Sequence, residues 1–166
     1  MEAARTVEEL VISSRQGALE AFGELVRRFQ DMAVGYAYAI LGDHDLAEDA
    51  AQEAFIQVYL NLASIQEPAA FPGWFKKVVF SCCHRSIRRK RLQMMDLDAL
   101  QAVPGDSPEP AREVEGRQAR AEILAAVQRL PEEQRAALIL YYISEFSYRQ
   151  IADFLGCLHD FAIVQG

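Results

Sequence analysis

Residues 45–64 read DLAEDAAQEAFIQVYLNLAS, and this stretch decides the class of the fold. Alanine, glutamate and glutamine dominate it, and apolar and polar residues do not alternate as they would in a strand. Asp45 and Glu48 have the spacing of a capping box, which predicts a helix running from there to about Ser64. Apolar residues recur at helical spacing, and the predicted core stripe consists of Phe55, Val58, Tyr59 and Leu62.

The same composition continues on both sides of this helix. Thr6 and Glu9 have capping-box spacing, and Gly42 is predicted to end the next helix along the chain. A basic helix is predicted from Trp74 to about Arg91. Ser147-Tyr-Arg-Gln150 is a further capping box, which opens the first half of a helix-turn-helix. The sequence therefore predicts an all-α fold.

Residues 92–117 differ in character, because they hold three prolines and two glycines and carry six acids against two bases. Such a segment is typical of a linker. We therefore predict two small helical modules, residues 1–91 and 118–166, joined by an acidic linker at 92–117. The second module is expected to contain an incomplete helix-turn-helix.

The composition excludes several classes of protein. With 51% hydrophobic and 25% charged residues among 166, the chain is globular rather than disordered. It has no apolar run of the ~20 residues that span a membrane, and MEAARTVEEL is not a signal sequence, so we expect a cytoplasmic protein. No nucleophile, phosphate-loop or zinc motif is present. We therefore predict no enzyme activity, no cofactor, no metal site and no small-molecule substrate.

The charge of the chain is unevenly distributed. The net charge is −7, yet seven bases and no acid lie between Trp74 and Gln93. On a helical wheel an aromatic, hydrogen-bonding groups and cations share one arc, which suits a nucleic acid. These residues are Trp74, Lys77, Ser81, His84, Arg85 and Arg88. The alternative is a solvated basic face that pairs with the acidic linker.

The outer side of the 45–64 helix is also unusual. Aliphatic side chains lie there beside carboxylates and an amide, in the set Asp49, Gln52, Glu53, Ile56 and Leu60. Either Ile56 and Leu60 pack under the N-terminal helix or the second module, or the face docks a partner with apolar and basic groups. Under the docking interpretation Asp49 and Glu53 are expected to be exposed.

The order of the motifs resembles a known family. GALEAFGELVRRF, DHDLAEDAAQEAFIQVYLNL and FPGWFKKVVFSCCHRSIRRKR resemble region 2 of the extracytoplasmic-function sigma factors of bacterial RNA polymerase. LPEEQRAALILYYISEFSYRQIADFLG resembles the start of region 4. The resemblance implies a subunit that binds core RNA polymerase and promoter DNA and meets an anti-sigma factor. An interaction protein that binds core polymerase or an anti-sigma factor without supporting initiation is the alternative.

The resemblance also assigns site residues. The core-polymerase contact falls on Asp49, Gln52, Glu53 and Phe55, with Ile56 beside them. Recognition and melting of the −10 element falls on the basic arc from Trp74 to Arg88 and on the loop Gln66–Phe71. The resemblance departs after Gly156, because residues 157–166 contain no Lys or Arg where the family places its −35 reader. We therefore expect no recognition of a −35 element by this chain.

Overall fold

The computed structural model describes residues 5–98, 122–123, 125–142 and 144–156, and the regular secondary structure in these ranges is helical. The first helices are α1 (Val7–Arg15), α2 (Leu19–Leu41), α3 (His44–Asn61) and α4 (Phe71–Asp98). Two 3-10 turns, Leu62–Ser64 and Pro68–Ala70, connect α3 to α4. Helical residues 122–123 and 125–128 precede α5 (Glu132–Tyr142) and α6 (Tyr148–Leu155). The predicted all-α class is confirmed.

The predicted capping boxes at Thr6 and Ser147 and the predicted helix end at Gly42 are confirmed. The Thr6 hydroxyl accepts the Glu9 N–H at 3.2 Å, and the Thr6 N–H donates to Glu9 Oε2 at 2.7 Å. Ser147 and Gln150 form the same reciprocal box at the start of α6. Gly42 ends α2 with φ at 67°, in the left-handed region that glycine tolerates.

The predicted cap of α3 is wrong. Asp43, not Asp45, precedes the helix, and its Oδ1 accepts the Leu46 N–H at 3.0 Å. A cap residue needs extended backbone, which Asp43 has at φ −134° and ψ 124°, whereas Asp45 is already within the first turn. Glu48 lies beside His44 instead, with 3.7 Å between the carboxylate Oε1 and Nδ1.

Aromatic rings fill the core of the first module. Phe29 packs edge-on against Phe71 at 5.1 Å and against Phe75 at 5.8 Å between ring centroids. Phe55 of α3 lies 4.8 Å from Phe75. Each ring thus contacts a ring of another helix, which fixes the position of the start of α4 against α2 and α3.

The predicted core stripe of α3 is partly wrong. Val58 and Leu62 are buried as expected, and Phe55 is half-buried. Tyr59 is 49% exposed, with its ring edge-on at 5.1 Å from Phe22. Small residues take the innermost positions and let the neighbouring helices approach closely; they are Ala47, Ala50, Ala51 and Ala54.

Helix α4 is longer than the basic stretch that predicted it. It begins at Phe71, three residues before Trp74, and continues to Asp98. Residues 92–98, which belong to the predicted linker, are therefore helical. Residues 99–117 of that linker lie outside the described part of the chain, and the division into modules stays a prediction. None of the helices in the described residues is both long enough and apolar enough to span a membrane.

The second module packs directly on the first, and buried residues of both belong to one hydrophobic cluster. The Phe154 ring lies 5.4 Å from the Tyr36 ring and 6.3 Å from the Phe75 ring. Helix α5 packs on α2, and α6 packs on α4. The sequence predicted two modules but contained no signal for this contact between them.

Candidate functional site

We use the name α3 face for the predicted docking residues of α3, which are Asp49, Gln52, Glu53, Phe55 and Ile56. Asp49 and Gln52 are exposed, and Ile56 is 59% exposed, so no helix in the described residues covers its side chain. Leu60, one turn further along, is 70% exposed. Two exposed aliphatic side chains beside acidic ones are more typical of a surface that binds another protein than of one that contacts only water.

Two members of the α3 face differ from the expectation. Phe55 turns its ring inward onto Phe75, so most of its contribution is to the core. Glu53 was expected to be exposed, but only 30% of its side chain is, because it pairs with Arg85 of α4. Asp49, Gln52 and Ile56 are therefore the exposed members of this face.

The α4 face comprises Trp74, Lys77, Ser81, His84, Arg85 and Arg88. Lys77, Ser81, His84 and Arg88 are exposed. Trp74 is half-buried, with 6.2 Å between its ring and that of Phe71, so it is partly a core residue. The imidazole of His84 lies 4.2 Å from the Phe80 ring.

A groove of about 340 Å³ runs along this face, between α4 and the end of α3. Trp74, Lys77, Ser81 and Arg85 of the predicted set line it, while Asn61 is among its residues from the α3 side. The structure thus brings four predicted residues to one concave surface. Its aromatic ring can stack on a base, its cations can neutralise phosphates, and its hydroxyl can form a hydrogen bond.

Glu53 and Arg85 join the two faces. The Arg85 Nη1 donates to Glu53 Oε1 at 2.7 Å, and Nη2 lies 3.9 Å from the Cys82 sulfur. The sequence assigned these residues to two separate sites with two different partners. They are 32 positions apart in the chain, so helical periodicity within either segment could not reveal the pair.

Lys76 is a functional candidate that the wheel of α4 missed. Its Nζ donates to the Leu155 carbonyl at 3.1 Å and lies 3.3 Å from Glu133 Oε1. The ammonium also lies 5.9 Å from the centroid of the Tyr36 ring. Only 17% of the side chain is exposed, so the second module covers one of the seven cations of the basic stretch.

The loop predicted to enter the −10 site, Gln66–Phe71, contains the second 3-10 turn. Its start is held against α1, because Arg15 Nη1 donates to the Ile65 carbonyl at 3.3 Å. Loop and α4 border a groove of about 570 Å³, and the second module contributes Leu155 and Gly156 to its lining. The loop, the start of α4 and the end of α6 therefore meet at one place.

The thiols of α4 lie beneath this surface rather than on it. Cys82 and Cys83 are buried, and desolvation raises the pKa of both; the pKa of Cys83 rises to about 12, with the neighbouring Cys82 and Glu132 adding to the effect. Both thiols are therefore neutral at pH 7 and unreactive. His84 points outward, so the three consecutive side chains do not form a metal site.

One exposed cluster has metal-ligand chemistry. The ligand atoms of His44, Asp45 and Glu48 lie within 4.8 Å of one another in the first turns of α3. All three are exposed, and carboxylates at this position are explained by the dipole of the helix start. We assign no ion to the cluster.

Comparisons with known proteins agree with this arrangement. Residues 25–93 match the Sigma-70 region 2 family, and residues 120–157 match the Sigma-70 region 4 family. The chain is 34% identical over 143 residues to the ECF RNA polymerase sigma factor SigE of Mycolicibacterium smegmatis, covering 85% of this chain and 55% of SigE. It is 35% identical over 154 residues to "Probable RNA polymerase sigma factor RfaY" of Xanthomonas campestris pv. campestris, covering 89% of this chain and 38% of that protein.

A solved structure, that of CnrH in complex with the cytosolic domain of CnrY, shares the fold with a TM-score of 0.56. The matched chain of that complex is 18% identical in sequence, and the match covers 90% of this chain and 82% of the matched one. The chain thus has the two-region organisation of a Sigma-70-type protein. More specifically, it belongs to the extracytoplasmic-function, or ECF, sigma factors of bacterial RNA polymerase. It spans about half or less of the length of SigE and RfaY.

Proposed function

We propose that this chain is a promoter-specificity subunit of RNA polymerase that binds core enzyme through its α3 face and a melted −10 strand through its α4 face. The role is non-catalytic: the chain selects DNA that the polymerase then transcribes. It acts in the cytoplasm, where the polymerase is. An anti-sigma factor is a further partner under this proposal.

One observation carries the proposal: an exposed acidic and apolar face adjoins an exposed cationic and aromatic groove on the same rigid pair of helices. Asp49 and Ile56 lie on the first, Lys77 lines the second, and the exposed Arg88 lies further along the α4 face. Among the described residues neither of these two cations has a carboxylate partner. A strand that follows the α4 face therefore meets cations that can displace the counterions condensed on its phosphates.

The preference for melted DNA follows from differential binding. The half-buried Trp74 lines the groove, and a base can stack on its ring only after leaving the duplex. Phosphate contacts by Lys77 and Arg88 position either form of DNA. The aromatic contact is thus the one that favours the open strand.

The test combines binding and transcription. Core polymerase from Mycolicibacterium smegmatis would be incubated with the full chain, and a randomised promoter library would be transcribed by the resulting holoenzyme. Recovery of templates sharing a −10 motif supports the proposal. Binding to core enzyme with no enriched template would instead favour the interaction protein that docks without initiating. Absence of core binding would reject the proposed function and leave, of the alternative, only a protein that binds an anti-sigma factor.

The residue assignment has its own test. In a crosslinking experiment, a photoreactive amino acid at Gln52 should capture the polymerase, while one at Ser81 should capture the non-template strand of the selected promoter. The same probe at Glu8, an exposed residue of α1, is the control and should capture neither. Capture of DNA from Gln52 or of polymerase alone from Ser81 would contradict the two faces as assigned.

A further inference from the structure

We propose that Gln57 and Asn61, at the end of α3, contact one base of the strand that the α4 face binds, and that they select adenine at that position. This inference rests on the proposed function, since it concerns the same strand site. The sequence resemblance assigns the contacts with the −10 strand to α4 and to the loop before it. The two amides belong instead to the helix on the other side of the groove, whose outer face was assigned to the polymerase.

The two amide side chains border the groove of about 340 Å³ that runs between α4 and the end of α3. They are four positions apart on α3, so they lie on the same face of that helix. Trp74 and Lys77 line the groove from the α4 side. A base that stacks on Trp74, with its phosphate at Lys77, can therefore turn one edge toward the amides of α3. The volume is at the lower end of the range for small-molecule sites, which suits a single planar base.

The side chain of Asn61 is held in one orientation. Its Nδ2 donates to the Gln57 carbonyl at 2.8 Å, within the last turn of α3. Because a carbonyl can only accept, the amide nitrogen faces the helix, and Oδ1, which has no partner among the described residues, is left to accept from a ligand. The Ser64 hydroxyl donates to the Asn61 carbonyl at 2.7 Å and fixes the turn that follows. Asn61 thus presents a positioned acceptor before a strand is bound.

The side chain of Gln57 is half-buried, and its amide forms no hydrogen bond with another group in the described part of the chain. A partly desolvated amide of this kind gains from a ligand that satisfies both its donor and its acceptor. Adenine has the complementary pair, because its N6 amino group donates and its N7 accepts, and amide side chains bind this pair in a bidentate manner. The second hydrogen of N6 is then available to Asn61 Oδ1.

The other three bases lack part of this pattern. Guanine and thymine present the oxygens O6 and O4 where adenine has its amino group, so an acceptor would face the fixed oxygen of Asn61 with no hydrogen between them. Cytosine has an amino group, but no ring nitrogen on that edge to accept from the Gln57 amide. The arrangement of one fixed acceptor and one free amide therefore favours adenine.

The experiment measures base preference rather than affinity alone. Anisotropy records binding of the holoenzyme, formed from the full chain and core polymerase, to fluorescent single-stranded oligonucleotides that carry the −10 motif recovered from the promoter library. Each position of the motif holds each of the four bases in turn, or an abasic sugar, and core polymerase alone gives the background. At one position the parent is expected to bind adenine about tenfold more tightly than the other bases.

Three variants separate base recognition from a structural role. Gln57→Leu and Asn61→Leu should each reduce the preference for adenine to about twofold or less, while binding to the oligonucleotide that is abasic at this position stays unchanged. Gln57→Glu replaces the donor with a second acceptor and should shift the preference to cytosine, because carboxylates accept from the N4 amino group of that base. Gln134→Leu, the same change at an exposed site of α5, is the matched control and should keep the preference of the parent.

The results distinguish a failure of this inference from a failure of the proposed function. A parent that binds the strand without preferring adenine at any position would overturn the inference and leave the proposed function intact. A preference for adenine that survives both leucine variants would do the same. So would an equal loss of affinity for every oligonucleotide, the abasic one included, since that would indicate a structural role for the two amides. Absence of strand binding by the parent holenzyme above the background of core polymerase would mean that the proposed strand site itself is wrong.

Discussion

Arg85 and Arg88 lie one helical turn apart, but the structure predicts that they contribute unequally to binding a strand. Arg85 is paired with Glu53 at 2.7 Å, whereas Arg88 has no carboxylate partner among the described residues. Each cation that neutralises a phosphate of single-stranded DNA adds about 0.7 to the slope of log affinity against log salt. Arg88→Ala should therefore lower this slope by about 0.7.

The expected effect of Arg85→Ala follows from the strength of its ion pair. The Arg85 and Glu53 side chains are 41% and 30% exposed, so solvent screens them and the pair is worth about 0.5–1 kcal/mol. That energy leaves Arg85 unpaired in roughly a sixth to a third of molecules. Arg85→Ala should thus lower the slope by only about 0.1–0.2.

Removing the charge of Glu53 should raise the contribution of Arg85 to the salt slope of strand binding. In a Glu53→Gln background the guanidinium no longer faces a charged partner, and Arg85→Ala should then lower the slope by about 0.7. Anisotropy titrations with a single-stranded oligonucleotide between about 50 and 200 mM salt measure all four variants. The argument is refuted if Arg85→Ala and Arg88→Ala lower the salt slope equally in the parent protein. It is also refuted if Arg85→Ala lowers the slope by the same amount in the parent and in the Glu53→Gln background.

Asp49→Arg should weaken binding to core polymerase about tenfold, while Glu8→Arg, the same change on α1, should leave it unaltered in a pull-down titration. Asp43→Ala removes the cap of α3 and should lower the free energy of urea unfolding by about 1 kcal/mol, against about 0.3 kcal/mol for Asp45→Ala. Burial raises the pKa of Cys83 from 9.0 to about 12. Between these two values the native state keeps a proton that the unfolded state loses, so the free energy of unfolding should fall as the pH rises. Cys83→Ala should make the decline shallower in urea unfolding between pH 9 and about 11.

Each of these outcomes can contradict a particular statement about the structure. Equal effects of Asp49→Arg and Glu8→Arg would mean that the α3 face has no special part in docking. If Asp45→Ala were the more damaging cap variant, the start of α3 would be misplaced. An unchanged pH profile for Cys83→Ala would show that this thiol is not desolvated in the native protein.

Local chemistry explains why much of the fold was predictable. The capping boxes at Thr6 and Ser147 and the left-handed Gly42 act within a few residues of the chain, so their sequence signals are sufficient. The prediction at Asp45 failed because two candidate caps stand two residues apart. Asp43, which directly follows the left-handed Gly42, has the extended backbone that a cap needs, whereas Asp45 is already helical.

Burial was harder to predict because it depends on which helix lies opposite. A wheel of α3 ranks the large apolar residues as core, and on that basis Tyr59 was placed inside. Alanines occupy the closest approach instead, and Tyr59 is left at the edge against Phe22. The partial burial of Lys76 was unpredictable for the same reason, since its partners Glu133 and Leu155 are 57 and 79 positions away.

The length of the cationic stripe on α4 limits the number of nucleotides that this face can contact. From Lys77 to Arg88 the helix axis advances about 16 Å. A strand with stacked bases advances about 3.4 Å per nucleotide, so the stripe runs beside about five nucleotides. Lengthening an oligonucleotide beyond that footprint should add little affinity from this face. Under the proposed function, this face would contact only a short segment of DNA, and any more extended DNA contact would have to come from the polymerase.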